Sequence, residues 1–231
     1  MDRNTKLALA VAAVAGVFFF SKKSRAESGA GAALAIANTF GGGAALVKPL
    51  AQGDPRWASL AVGFSQQRCA LVGCVLTTLT MATNALRGTN LTPPEVNEIV
   101  KRFPNGFSSS GSGVALNLGA GPAAHAVGLE IGVRLQEGSS IADVQRVTTA
   151  AIAGGGLAAV RVIYDEHDGK PSGHTVLCFG SGPEGLLCAD PANGGASSGK
   201  IITIPPSGVL QRIPGKLTYT LTGTLALFRG A

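Results

Sequence analysis

Apolar residues recur at Val75, Leu79, Ala82 and Leu86, in steps of four, three and four. That spacing predicts a helix over residues 74–86 with one apolar stripe. Thr92-Pro93-Pro94-Glu95 predicts the start of a second helix running to about Arg102. Thr92 caps it, Pro93 suits the first turn and Glu95 closes a capping box. Residues 105–113 read as a loop, Pro122–Val127 as a short helix and Glu130–Leu135 as a strand. Ser140 caps a further helix that runs to about Ala153 and stops at Gly154-Gly155-Gly156. Beyond that point the pattern turns to strands over 157–164, 174–179, 185–190, 200–204 and 216–228. The last alternates: Leu217, Tyr219, Leu221, Leu225 and Leu227 share one face, and Thr218, Thr220, Thr222 and Thr224 the other. Helices first and an antiparallel sheet after them predict an α+β domain.

The amino-terminal pattern is different. Leu7 to Phe20 is an apolar run of fourteen residues, preceded by Lys6 and followed by Lys22-Lys23-Ser24-Arg25. As a helix it spans roughly 21 Å, enough for a thin bilayer when flanking lysines snorkel to the headgroups. We read residues 1–25 as a membrane anchor, with a cleaved secretory signal as the alternative. Residues 26–49, rich in Ala and Gly, read as a tether, and residues 50–231 as the folded domain.

The 231 residues are 45% apolar and 14% charged, which excludes both a charge-rich disordered chain and a coiled coil. The formal charge is +6, and half of it sits on residues 1–27. The body is nearly balanced and has no run of Lys and Arg interleaved with aromatics, so nucleic acid is not expected as a partner. The four cysteines form no CxxC pair, and no phosphate-cradling or GxSxG motif occurs, so neither a metal nor a cofactor is expected.

Cys74 is the thiol placed for chemistry. It follows Gly73 and opens the first helix of the body, where unpaired N–H groups and the helix dipole favour thiolate over thiol and offer oxyanion donors. Gly73 is read as leaving room for a substrate backbone. A thiolate needs a base, and His174 stands at the mouth of the apolar strand Thr175–Phe179. Residues 180–185 read as the turn of a hairpin. If 178 pairs with 186, His174 faces Asp190 on one side of the sheet, and Asp190 fixes the imidazole tautomer. In that register Cys178 faces Leu186 and Cys188 faces Val176, a diagonal that disfavours a disulfide. Cys69 reads as structural, or else as a redox partner of Cys74. His125 reads as a core or rim residue, residues 165–169 as a solvated loop and Trp57 as a core or cleft-edge anchor.

The ordered set Gln52-Gly53-Asp54-Pro55-Arg56-Trp57, Gly73-Cys74-Val75-Leu76-Thr77-Thr78, Thr92-Pro93-Pro94-Glu95-Val96, Gly173-His174-Thr175-Val176 and Ala189-Asp190-Pro191 resembles the papain-like cysteine peptidases related to the bacteriocin-processing (double-glycine leader) peptidases. The resemblance covers about residues 50–205. It implies a papain-like α+β fold, amino-terminal helices packed on an antiparallel sheet, with Cys74 as nucleophile, His174 as base and Asp190 as orienting residue. It also implies an oxyanion glutamine, for which Gln52 is preferred over Gln67. The chain departs from many relatives in having Val75 after the cysteine.

The expected function is therefore a thiol-dependent hydrolase of a peptide or of a peptidoglycan cross-link, membrane-associated through residues 7–20 or exported to a cell envelope or virion. The alternative is an inactive papain-like domain serving as a structural component of a phage or secretion assembly.

Overall fold

The computed structural model describes residues 47–107, 121–132, 139–192 and 196–230. The expected anchor over residues 7–20 and nearly all of the tether lie outside the described residues. Among the described residues no helix is long and apolar enough to cross a membrane.

Among the described residues five helices and seven strands follow in order: α1 (Cys69–Val72), α2 (Cys74–Arg87), α3 (Pro93–Lys101), α4 (Pro122–Ala126), β1 (Leu129–Ile131), α5 (Ile141–Ala153), β2 (Leu157–Asp165), β3 (Ser172–Gly182), β4 (Gly185–Asp190), β5 (Lys200–Ile204), β6 (Val209–Ile213) and β7 (Leu217–Gly230). One antiparallel sheet runs β1-β7-β2-β3-β4-β5, with β6 also paired to β7. The α+β expectation holds. The local signals behave as read: Thr92 and Glu95 form the capping box of α3, and the Ser140 hydroxyl accepts from the Asp143 N–H at 3.1 Å. Gly88, at φ 63°, ends α2 in the left-handed conformation that glycine adopts without strain.

Helices cover both faces of the sheet. On one face α2 packs with Leu76, Leu79 and Met81 against Leu157, Leu177, Phe179 and Phe228. On the other, α5 packs with Val144 and Ile152 against Val160, Val176, Leu186, Tyr219 and Leu227. Strands β2 to β4 are buried on both faces, so their runs are continuously apolar rather than alternating. Helix α2 is more enclosed than a single stripe implies. Leu76 through Thr83 are all buried, and Thr80 and Thr83 satisfy their hydroxyls on the carbonyls of Leu76 and Leu79, 2.9 and 2.8 Å away.

The β3–β4 hairpin corrects the expected register. The turn is only Pro183-Glu184, with Gly182 paired to Gly185; β4 begins where the sequence suggests, but β3 runs three residues further toward the turn. Gly180 then pairs with Leu187, but Cys178 pairs with Cys188 and Leu177 with Ala189. The register shifts by one residue at a bulge containing Phe179. Cys178 therefore faces Cys188 directly and is disulfide-bonded to it, contrary to the diagonal placement. Strand β6 was not expected. Its five residues are mostly exposed and lie between Pro205-Pro206-Ser207-Gly208 and Pro214-Gly215, so the segment reads as loop.

Candidate functional site

Helix α2 begins at Cys74 directly after Gly73, and no side chain caps its first turn. A Cβ on Gly73 would lie 2.3 Å from Cys69 Sγ and 2.5 Å from the Cys69 carbonyl oxygen. Glycine is thus required for the tight junction between α1 and α2, a role the sequence did not suggest. We expect Gly73→Ala to destabilise the fold by about 1–3 kcal/mol through overpacking, read by urea unfolding.

The junction aims Cys74 at the sheet, and α2 is tied to β3 by the Thr78 hydroxyl, 3.4 Å from the Thr175 carbonyl oxygen. The half-buried Cys74 lines the same cavity wall as His174, and its electrostatics are governed by that ring and by the N–H groups of Thr175 and Val75. Burial opposes the thiolate. The His174 hydrogen bond and charge, with the two N–H donors, outweigh it and hold the thiol below its ordinary range.

His174 is 6% exposed, and its Nε2 lies 2.8 Å from Asp190 Oδ1. That contact leaves Nδ1 as the ring nitrogen available to Cys74. Burial alone would lower the imidazole pKa. The hydrogen bonds to Asp190 and Cys74 and their negative charges raise it to about 9. The tyrosine rings of Tyr164 and Tyr219 stand against the imidazole, with centroids 6.3 and 5.7 Å away.

Asp190 is fully buried and satisfied by four donors. Oδ1 accepts from His174 and from the Ala192 N–H at 2.8 Å. Oδ2 accepts from the Tyr219 hydroxyl at 3.0 Å and from Arg212 Nε at 3.2 Å. Burial favours the neutral acid, but His174, the Ala192 N–H and Tyr219 keep the carboxyl below its usual range. Burial and the Asp190 charge in turn push the Tyr219 phenol far up.

The expected pairing of residue 174 with 190 is off by two, yet the two side chains meet. The pairs Leu177–Ala189 and Cys178–Cys188 extend to place Asp190 opposite Val176, diagonal to His174 and on the same face. Had the turn-side register continued without the bulge, Asp190 would fall opposite Leu177, on the other face from His174. The extra residue in β3 therefore decides that a carboxylate meets this imidazole.

A cavity of about 460 Å³ opens beside the sulfur, with Gln52, Leu71, Cys74, Tyr164, Gly173 and His174 among its lining residues. The Gln52 N–H donates to the Pro191 carbonyl oxygen at 3.0 Å, and its Nε2 donates to the Ala70 carbonyl oxygen at 2.9 Å. A carbonyl only accepts, so this contact fixes which end of the amide is nitrogen. Gln67 is exposed in the turn before α1 and is not part of the cavity wall.

The remaining candidates fall elsewhere. Cys69 is fully buried, and burial pushes its thiol up to about 11, so it is structural rather than reactive. Trp57 is a core anchor whose indole N–H donates to the Ala51 carbonyl oxygen at 2.8 Å. His125 is exposed rather than in the core. Among the described residues no group of three His, Cys, Asp or Glu side chains is arranged to hold a metal ion. Sequence reasoning missed Arg212, Tyr219 and Tyr164. Tyr219 and Tyr164 lie in apolar strands, where a phenol reads as core, and Arg212 lies in the unexpected β6.

Comparison with known proteins places little beside this geometry. No family profile matches the chain, and no curated protein does. Among solved structures, one described as a "putative C39-like peptidase" from Bacillus anthracis aligns over 75% of this chain and 97% of its own, at 15% identity and a TM-score of 0.35.

Proposed function

We propose that this chain is a cysteine peptidase that cleaves peptide amide bonds, with Cys74 as nucleophile, His174 as acid and base, and Asp190 as the residue that orients the imidazole. The observation that carries this reading is the hydrogen-bonded pair of His174 and buried Asp190 standing beside Cys74 on the wall of one cavity. The alternative of an inactive scaffold predicts a cleft closed over its cysteine, whereas this cavity reaches Cys74.

The chemistry follows from the charges. In the resting pair the Cys74 proton sits on His174. The thiolate attacks the substrate carbonyl carbon, and the carbonyl π electrons move to oxygen. The Cys74 N–H at the start of α2 and the second Nε2 hydrogen of Gln52 are the donors for that oxyanion. As the carbonyl re-forms, the C–N bond breaks and imidazolium gives its proton to the departing amine. Water then attacks the thioester, His174 takes its proton, and the acid leaves with the thiolate restored. Asp190 keeps Nε2 protonated throughout and stabilises the imidazolium. Residues 7–20 would hold the enzyme at a membrane, and a peptide segment or peptidoglycan stem peptide is the substrate class we propose.

The test is incubation with peptide and peptidoglycan libraries, with products identified by mass spectrometry. We expect cleavage by the native chain and none by Cys74→Ala or by the alkylated protein. Cleavage that survives Cys74→Ala, or a native chain inert toward both libraries, contradicts the proposal.

A further inference from the structure

Thiolate, imidazolium and carboxylate together carry a net charge of −1, and a buried net charge is strongly disfavoured. This site holds a fourth charged group. Arg212 is 14% exposed and its Nε lies 3.2 Å from Asp190 Oδ2, on the side of the carboxylate away from His174. The placement is built into β6. The β6–β7 register shifts between Gln211 and Ile213, so Arg212 stands at a bulge, the kind of irregularity that re-aims a side chain. Tyr219, on the paired strand, holds the same oxygen at 3.0 Å.

We propose that Arg212 is a positioning residue that brings the charge of the buried site to zero, and that it acts on Cys74 and His174 through Asp190. The inference rests on the ion-pair reading of the site given above. Removing the guanidinium leaves the site at −1. A more negative site disfavours the thiolate, so Cys74 gives up its proton at higher pH. It favours the imidazolium, so His174 also loses its proton at higher pH. Both steps move the same way, by about half to one pH unit.

Other ionisable groups face the site. Tyr164 on β2 is hydrogen-bonded to Glu166 at 2.5 Å, and Tyr219 on β7 bonds Asp190 itself. Both phenols are pushed up, Tyr164 to about 12, and so stay neutral through these steps. Lys200 pairs with Asp190 across β4 and β5 but is exposed. Arg161 lies against the backbone of Gly173 and is exposed as well. Their charges, with that of exposed Glu166, are screened by solvent.

The experiment measures the rate of Cys74 alkylation by iodoacetamide against pH, with Cys74→Ala as the blank, in the native chain, Arg212→Gln and Arg212→Lys. We expect Arg212→Gln to shift both steps upward and Arg212→Lys to leave them near the native positions. A purely structural Arg212 would lower the amplitude in both variants without moving either step, and that result overturns the inference. Should Arg212→Gln not fold, Asp190→Asn is compared with Asp190→Asn/Arg212→Gln. The double variant is expected to take up its thiol proton at higher pH than the single one, and equal profiles overturn the inference. Alkylation does not require a substrate, so an inert native chain in the cleavage assay leaves this result readable. A native profile without a step below the ordinary thiol range removes the ion pair and this inference with it.

Discussion

Replacing Asp190 with Ala is expected to destabilise the protein by about 3–5 kcal/mol and to reduce any Cys74-dependent turnover by about 10²-fold or more. The carboxylate is fully buried and takes hydrogen bonds from His174, the Ala192 N–H, Tyr219 and Arg212. Its removal leaves a guanidinium, an imidazole and a phenol without their acceptor in a space from which water is excluded. The penalty is mostly that of stranding those partners, not the intrinsic worth of one ion pair. The pH dependence separates this from a packing loss. The Asp190 pKa is lowered on folding, so the stability it contributes is present above the ordinary carboxylate range and is lost as pH falls through its folded value. Urea unfolding of the native chain should show that acid loss, and the Asp190→Ala variant should lack its Asp190 share. A variant within about 1 kcal/mol of native, with the same acid limb, contradicts the description of Asp190 as a buried and ionised acceptor.

Replacing His174 with Ala is expected to slow alkylation of Cys74 at neutral pH by roughly tenfold to a hundredfold. Burial raises the thiol pKa, and His174 provides the largest opposing influence. Without it the thiol returns to its ordinary range or above, where only a few per cent is thiolate at neutral pH. The higher intrinsic reactivity of a more basic thiolate offsets part of that loss. Stability should report this pair poorly, for a specific reason. His174 is raised to about 9, so its contribution is present below about pH 6.5 and is lost as pH rises through about 9. Cys74 is lowered, so its contribution is present above the ordinary thiol range and is lost as pH falls through the folded value. Between those limits the ion pair holds one proton, as do the neutral thiol and imidazole of the unfolded chain. The two slopes oppose each other, and reactivity rather than stability is the sensitive readout.

Much of this arrangement was legible in the sequence because the signals are local. The four-three-four spacing of Val75 to Leu86, the Thr92–Glu95 box and the Ser140 cap act within one or two turns of chain and survive tertiary context. The cysteine at a helix start and the histidine at a strand mouth were readable for the same reason. The register of β3 on β4 was not. It depends on a bulge containing Phe179, and no side-chain type encodes a one-residue irregularity. The reading erred by two residues, an even slip that preserves the face, so His174 and Asp190 were matched despite it. The same slip misplaced Cys178 and Cys188, which a direct pairing brings together. Arg212 escaped because β6 is short, mostly exposed and framed by Pro and Gly, and its partner lies 22 residues earlier in the chain.

The account turns on one proton, the one that leaves sulfur for imidazole in the resting site. The most direct measurement is the ultraviolet thiolate absorbance of the native chain titrated with pH, taken as the difference from Cys74→Ala. Cys69, buried and pushed up to about 11, is common to both proteins and cancels. The account predicts a full thiolate signal already present at neutral pH, formed in a step below the ordinary thiol range and abolished by His174→Ala. A single step at or above that range, unchanged by His174→Ala, would contradict it.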